Sequence, residues 1–224
     1  MSRIRLAPSL AVAPNVPVHE PDLAIEHKEA IVAALRWAWA ELVRTAPGLL
    51  RSGQEEQVSE RIQDILNERD TLTGTRRVSW LEDFETVIRG ESQRTIDGRI
   101  QKKPDLVFRP PAYRNVANTT RWGWFVECKI VDDSASVVAY RDNGVLRFVL
   151  GEYAAWMPSA ALLAYVRDGS RPLAALDVKL REHPQTKHHR AGPTDDRSES
   201  EHDRSPLGAP CVDITLVHVW LSCP

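Results

Sequence analysis

The run Trp122–Val131 (WGWFVECKIV) constrains this chain more than any other ten residues. Aromatic and β-branched residues dominate it, so it predicts a buried strand. It also carries Glu127 and Lys129, and side chains two apart on a strand share a face. Val126, Cys128 and Ile130 then point together into an apolar layer, while Glu127 and Lys129 project side by side from the other face. A buried strand with an acid and a base on one face must pair those charges or use them, because unpaired charge in an apolar layer is costly. Any fold of this chain has to build a polar site against that strand.

The rest of the chain supplies one ordinary domain around it. At 224 residues, 42% apolar and 27% charged, the chain is long enough to bury a substantial core. Residues 1–21, broken by Pro8, Pro14 and Pro17, read as a loosely docked arm, and residues 22–224 as a single domain. Ile25, Ile31, Leu35, Ala38 and Leu42 mark a helix from Asp22 that Pro47-Gly48 stops. A second helix spans about Gly53 to Asp70, with Ser52 as its cap. A weak strand within Trp80–Arg89 and a short one at Lys103–Arg109 (KPDLVFR) come before the central run. Val137–Met157 reads as a helix broken around Asp142–Gly144 and buried in its second part, and Ala160–Val166 as another buried strand. About 181–210 is polar enough to read as loop, and Val212–Leu221 closes the chain as a strand. The order α-α-β-β-β-α-β-loop-β predicts an α/β or α+β domain with a mixed sheet.

No run approaches a membrane span, and the proline-rich N-terminus does not form a signal peptide, so a cytoplasmic protein without a membrane partner is expected. Cys128, Cys211 and Cys223 lack the spacing of a disulfide framework or a zinc motif. His183, His188, His189 and His202 cluster in the polar stretch without zinc spacing, and Ser200–Arg204 is a candidate loop over the site. His218, in the last strand, reads as a satisfied core or edge histidine.

Net charge is −2, which excludes a strongly basic coat protein, but the average hides a local excess. Residues 89–129 hold nine basic and four acidic residues, a balance of +5. Arg99, Lys102 and Lys103, immediately before Asp105, are the expected phosphate contacts. If the strand at Lys103–Arg109 pairs with the central run through a hairpin at 110–121, Asp105 approaches Glu127. Asp and Glu together offer two hard oxygen ligands, a set Mg²⁺ accepts while keeping several waters. The neighbouring Lys129 suits orientation of a water nucleophile and of developing phosphate charge. Upstream, a helical wheel that starts from Val58 at zero puts Ile62 at about 40°, Leu66 at about 80° and Glu55 at about 60°. Glu55 thus lies inside the apolar stripe, whereas Glu56 and Glu60 lie on the far side.

Pro104-Asp105 followed by Glu127-Cys128-Lys129 resembles the signature of the PD-(D/E)xK superfamily, the restriction-endonuclease-like nucleases. The resemblance covers residues 53–166, roughly half the chain. It implies a restriction-endonuclease-like α-β-β-β-α-β core with a mixed central sheet flanked by helices, here extended by an N-terminal helix and a C-terminal strand. It also implies a Mg²⁺-dependent deoxyribonuclease in which Mn²⁺ substitutes. Asp105 and Glu127 would hold metal, with Glu55 (Glu56 in reserve) completing the set, and Lys129 would serve catalysis. A homodimer, or a partner protein that directs the nuclease to DNA, is a further implication, with antiviral defence as a setting. In such nucleases the helix after the third strand often presents a polar residue or Tyr to the site; Tyr153 and Trp156 read here as core, and Glu152 as a supporting group. The alternatives are a non-catalytic scaffold of the same fold and a metal-dependent phosphohydrolase of small substrates.

Overall fold

Apolar strands alternating with amphipathic helices assemble, in the computed structural model, into one six-stranded mixed sheet with helices on both faces. The structure describes residues 19–68, 84, 87–90, 103–110, 120–132, 136–168 and 173–223. The strands are β1 (Leu106–Phe108), β2 (Trp124–Val131), β3 (Ser159–Val166), β4 (Thr186–Ala191), β5 (Arg197–His202) and β6 (Ile214–Ser222). Their order across the sheet is β1-β2-β3-β6-β5-β4. β2, β3 and β6 run parallel, while β1, β5 and β4 pair antiparallel with their neighbours. The parallel centre is buried on both faces and is therefore apolar almost throughout, as seen for SAALLAYV in β3.

One face is covered by α1 (Ile25–Thr45) and α3 (Glu55–Asn67), joined through the short α2 (Pro47–Ser52). The helix predicted from Asp22 is α1, and four of the five stripe residues, Ile31, Leu35, Ala38 and Leu42, are fully buried, whereas Ile25, at its first position, is exposed. The second predicted helix is α3, but its cap differs from the expected Ser52. Gln54 and Gln57 form a reciprocal capping box, and Ser52 closes α2 instead. On this face Trp39 stacks on Tyr165 at 5.4 Å, and Tyr165 Oη meets Ser59 Oγ at 3.1 Å.

The opposite face is covered by α4 (Val137–Tyr140), a π-helical turn (Arg141–Val145), α5 (Leu146–Val149) and, beside them, α6 (Leu173–Arg181). The break expected around Asp142–Gly144 is this wide turn, through which the helix continues. Gly144 lets the turn pack close to the sheet, since a Cβ there would lie 2.9 Å from Leu162 Cδ2 and that buried side chain would have to shift. The buried helix predicted to run on to Met157 ends at Val149. Gly151, at φ +69°, turns the chain out of it, which only a residue without a Cβ does cheaply.

Two further expectations need correction. The stretch predicted as loop from about 181 to 210 forms the β4–β5 hairpin and extends the sheet by two strands. Its sequence looks unstructured because β4 is a mostly exposed edge and because β5 buries polar residues, Ser198, Ser200 and His202. Ser200–Arg204 accordingly does not form a loop over the site, since Arg204 is itself fully buried. Of the arm expected over residues 1–21, residues 1–18 lie outside the described residues; at its end Glu20 N donates to Trp156 O at 2.9 Å and Trp122 Nε1 to Pro21 O at 3.0 Å. The expected first strand within Trp80–Arg89 lies mainly outside the described residues, but Ile88 bridges Val107 on the free side of β1. Among the described residues no helix is long and apolar enough to cross a membrane.

Candidate functional site

β1 ends short, and the site grows from that fact. It pairs with β2 only from Leu106 to Phe108, opposite Val126 to Trp124. Alternate N–H groups along a strand point the same way, so those of Cys128 and Ile130 emerge beyond the end of β1 without a strand partner. Buried backbone donors need acceptors. Asp105 Oδ2 accepts from Cys128 N at 2.8 Å, and Glu55 Oε2, from the first turn of α3, accepts from Ile130 N at 3.1 Å. The two carboxylates sit where strand pairing stops.

On the opposite face from Cys128, Glu127 and Lys129 project together as their spacing predicts. Lys129 Nζ lies 2.6 Å from Glu55 Oε1, 2.8 Å from Cys128 O and 2.9 Å from Glu127 Oε1. One residue beyond the Leu106–Val126 pair, Asp105 faces Glu127 across the strands. The structure thus gathers Asp105, Glu127, Lys129 and Glu55 into one cluster. Glu56, the reserve, points outward and meets Arg89 at 3.5 Å, and Arg89 lies 3.9 Å from Asp105 Oδ1.

The electrostatics follow from burial. The side chain of Glu127 is 2% exposed. Desolvation, reinforced by the negative Asp105, raises its pKa to about 7, against the pull of Lys129 and Arg147. Asp105 is raised too, first by burial, although Lys129 and the Cys128 N–H oppose this. For Lys129, burial works against the ammonium, but Glu127 and Glu55 outweigh it and hold the group above the ordinary lysine value. Lys129 is therefore a cation at neutral pH and an unsuitable proton acceptor.

Of the three expected metal-holding carboxylates, Glu55 is bonded elsewhere. Both oxygens of Glu55 are already engaged, with Lys129 and with Ile130 N–H. Among the described residues no group of three His, Cys, Asp or Glu is arranged to hold a metal ion. A two-carboxylate set does suit a hard divalent cation, because Glu127 Oε2 is buried without any hydrogen-bond partner and Asp105 stands beside it.

Arg147, on α5, was not singled out from the sequence. Its Nη1 donates to Glu127 Oε1 at 2.7 Å and to Tyr153 Oη at 3.0 Å, and Tyr153 Oη donates to Lys103 O at 3.2 Å. Tyr153 is thus both core, as expected, and a support of the site. The signal was present in VLRFVL, where a lone arginine in an apolar helical run poses the same question as the charges of β2. Arg204 fixes this corner by donating to the carbonyls of Phe148, Ala154 and Met157 at 3.3, 3.1 and 2.8 Å. Of the expected phosphate contacts, Lys103 is exposed two residues before Asp105, whereas Arg99 and Lys102 lie outside the described residues.

Comparison with protein-family models, curated proteins and solved structures returned no match.

Proposed function

We propose that this protein is a divalent-cation-dependent nuclease that hydrolyses phosphodiester bonds of DNA. The observation that carries this reading is the buried, partnerless Glu127 Oε2 beside Asp105, flanked by the partly buried cations Lys129 and Arg147. Two carboxylates forced together in a desolvated corner repel each other, and a hard cation between them relieves that repulsion. Asp105 and Glu127 would hold Mg²⁺ or Mn²⁺, which would supply a water nucleophile at neutral pH and neutralise charge on the phosphate. Glu55 orients Lys129, and Lys129 fixes Glu127. The order α3, Ile88 bridge, β1, β2, α4–α5, β3 is in keeping with a restriction-endonuclease-like core. A second copy or a targeting partner, and a role in defence, belong to the same proposal.

One observation favours a second reading, a non-catalytic scaffold. Asp105 and Glu55 cap strand N–H groups, and Lys129 is held by three acceptors, so most of the cluster is accounted for by folding alone. Incubation of supercoiled, linear and single-stranded DNA, and of RNA in parallel, with Mg²⁺, Mn²⁺ or EDTA separates the two. The nuclease reading expects metal-dependent cutting of DNA that Asp105→Ala and Lys129→Ala abolish. Inert wild-type protein on every polymer, with either metal, supports the scaffold.

A further inference from the structure

Resting on the hydrolytic reading above, we propose that Arg147, and not Lys129, is the side chain that contacts the substrate phosphate at this site. A lysine ammonium has three N–H donors. Those of Lys129 face Glu55 Oε1 at 2.6 Å, Cys128 O at 2.8 Å and Glu127 Oε1 at 2.9 Å, so none is left for a ligand. A guanidinium has five N–H donors in a planar fork. Only Nη1 of Arg147 is committed, to Glu127 and Tyr153, and no described residue accepts from its Nη2 or Nε. Its side chain is 20% exposed, against 11% for Lys129, so those free donors reach the surface next to Glu127.

The surroundings hold that fork in place. Arg147 Cζ lies 5.7 Å from the centroid of the Tyr153 ring, and Tyr153 Oη is fastened to Lys103 O. Arg204 grips the carbonyls of Phe148, Ala154 and Met157 on the C-terminal side of Arg147. The π-helical turn and Gly144 bring α5 close to β2 on the N-terminal side. A guanidinium held this way loses little freedom on binding and matches two oxygens of one phosphate. Because Nη1 stays on Glu127 Oε1, the phosphate it holds lies beside the partnerless Oε2 of the same carboxylate. Lys129 is then a positioning residue for Glu127.

Binding of a fluorescent DNA duplex, measured by anisotropy in EDTA across a salt series, tests this in the Glu127→Gln background. There the carboxylate that Arg147 neutralises is already gone, so a mere counter-ion role predicts no further change. Phosphate contact predicts that adding Arg147→Gln weakens binding about tenfold, the size of one charge-assisted hydrogen bond. The slope of log K against log salt becomes shallower by about 0.9. Arg147→Lys in the same background retains the slope, because it retains the charge, and loses part of the affinity; this variant and thermal melting exclude a folding defect. Equal affinity and slope with and without Arg147→Gln overturn the proposal, as does a wild-type chain that binds no duplex. A protein that binds through Arg147 but cuts nothing with Mg²⁺ or Mn²⁺ overturns the hydrolytic reading and leaves the contact standing.

Discussion

Two buried polar networks share one face of the sheet and one row across it. Glu127 of β2 is paired with Leu162 of β3, and Leu162 with His218 of β6, so Glu127 and His218 stand two strands, about 10 Å, apart. The same helical segment touches both, through Arg147 at Glu127 and through Tyr140 at His218. Around His218 the partners form a chain: Tyr140 Oη to His218 Nδ1 at 2.9 Å, His218 Nε2 to Ser200 Oγ at 2.7 Å, Ser200 Oγ to His202 Nε2 at 2.7 Å, and His202 Nδ1 to Thr186 Oγ1 at 3.3 Å. With Tyr140 donating first, each ring nitrogen and hydroxyl along it finds a complementary partner while both imidazoles stay neutral. The Glu127 cluster is instead built of acids and bases and leaves one carboxylate oxygen without a partner. A network that satisfies itself stabilises a fold, whereas one that stops short of satisfaction is the place where a ligand would complete it.

The contrast can be broken experimentally, and Lys129 offers the largest effect. Lys129→Met leaves Glu55 without a cation and Glu127 with Arg147 alone, and is expected to cost about 3–5 kcal/mol of stability, read by urea denaturation, with loss of any metal-dependent cutting. A smaller cost with cutting retained would make the cluster an ordinary solvated ion pair.

Acid comes next. Burial, followed by His183, His189 and Arg204, lowers the pKa of His202 to about 3, and burial lowers His218 as well. A histidine whose folded pKa is depressed contributes stability above its unfolded value near 6.5 that is lost as pH falls toward the folded value. His202 alone is expected to cost about 3 kcal/mol by pH 4. Glu127 has the opposite sign. With a folded pKa of about 7, its contribution is present below the unfolded carboxylate value and is lost as pH rises through 7. The two slopes oppose each other between about pH 4.5 and 6.5. In EDTA, Glu127→Gln is therefore expected to steepen the dependence of stability on pH in that window by up to about 1.4 kcal/mol per pH unit. An unchanged slope would show that Glu127 titrates normally.

Within the histidine network, Ser200→Ala removes the hydroxyl that joins two imidazoles and is expected to cost about 1–3 kcal/mol while DNA binding and cutting stay at wild-type levels. Altered cutting at unchanged stability would join the two networks functionally. The smallest effect is expected from Thr186→Val at the half-buried end of the chain, about 0.5–1 kcal/mol by thermal melting. A loss as large as that of Ser200→Ala would mean that the network is as tightly held at its rim as at its centre.

The residues differ in how far their own sequence announced them. Glu127 and Lys129 were legible because a strand period of two and an apolar surrounding leave charged side chains no inconspicuous place. Glu55 was legible because a helix period of 3.6 put one acid inside a stripe of Val58, Ile62 and Leu66. Arg147 was missed because its partners, Glu127 and Tyr153, come from elements that only the fold brings to it. The β4–β5 hairpin was missed for a related reason. Ser198, Ser200 and His202 are 1%, 1% and 0% exposed, and a strand that buries hydroxyls and imidazoles gives no apolar alternation to read.

By itself, then, the sequence determined where strands and helices would run through the apolar core and which acids and bases would turn inward, since both follow from local period and the cost of burying charge. Only the tertiary structure decided what those groups meet. Toward the site β1 stops at Leu106, one residue short of Asp105, so two strand N–H groups draw in Asp105 and Glu55. Glu55 is thereby spent on Lys129, and an arginine from a distant helix is left with its donors free. Hydrogen bonds saturate, and which donor remains unsaturated depends on partners 20 and 74 residues away in the chain.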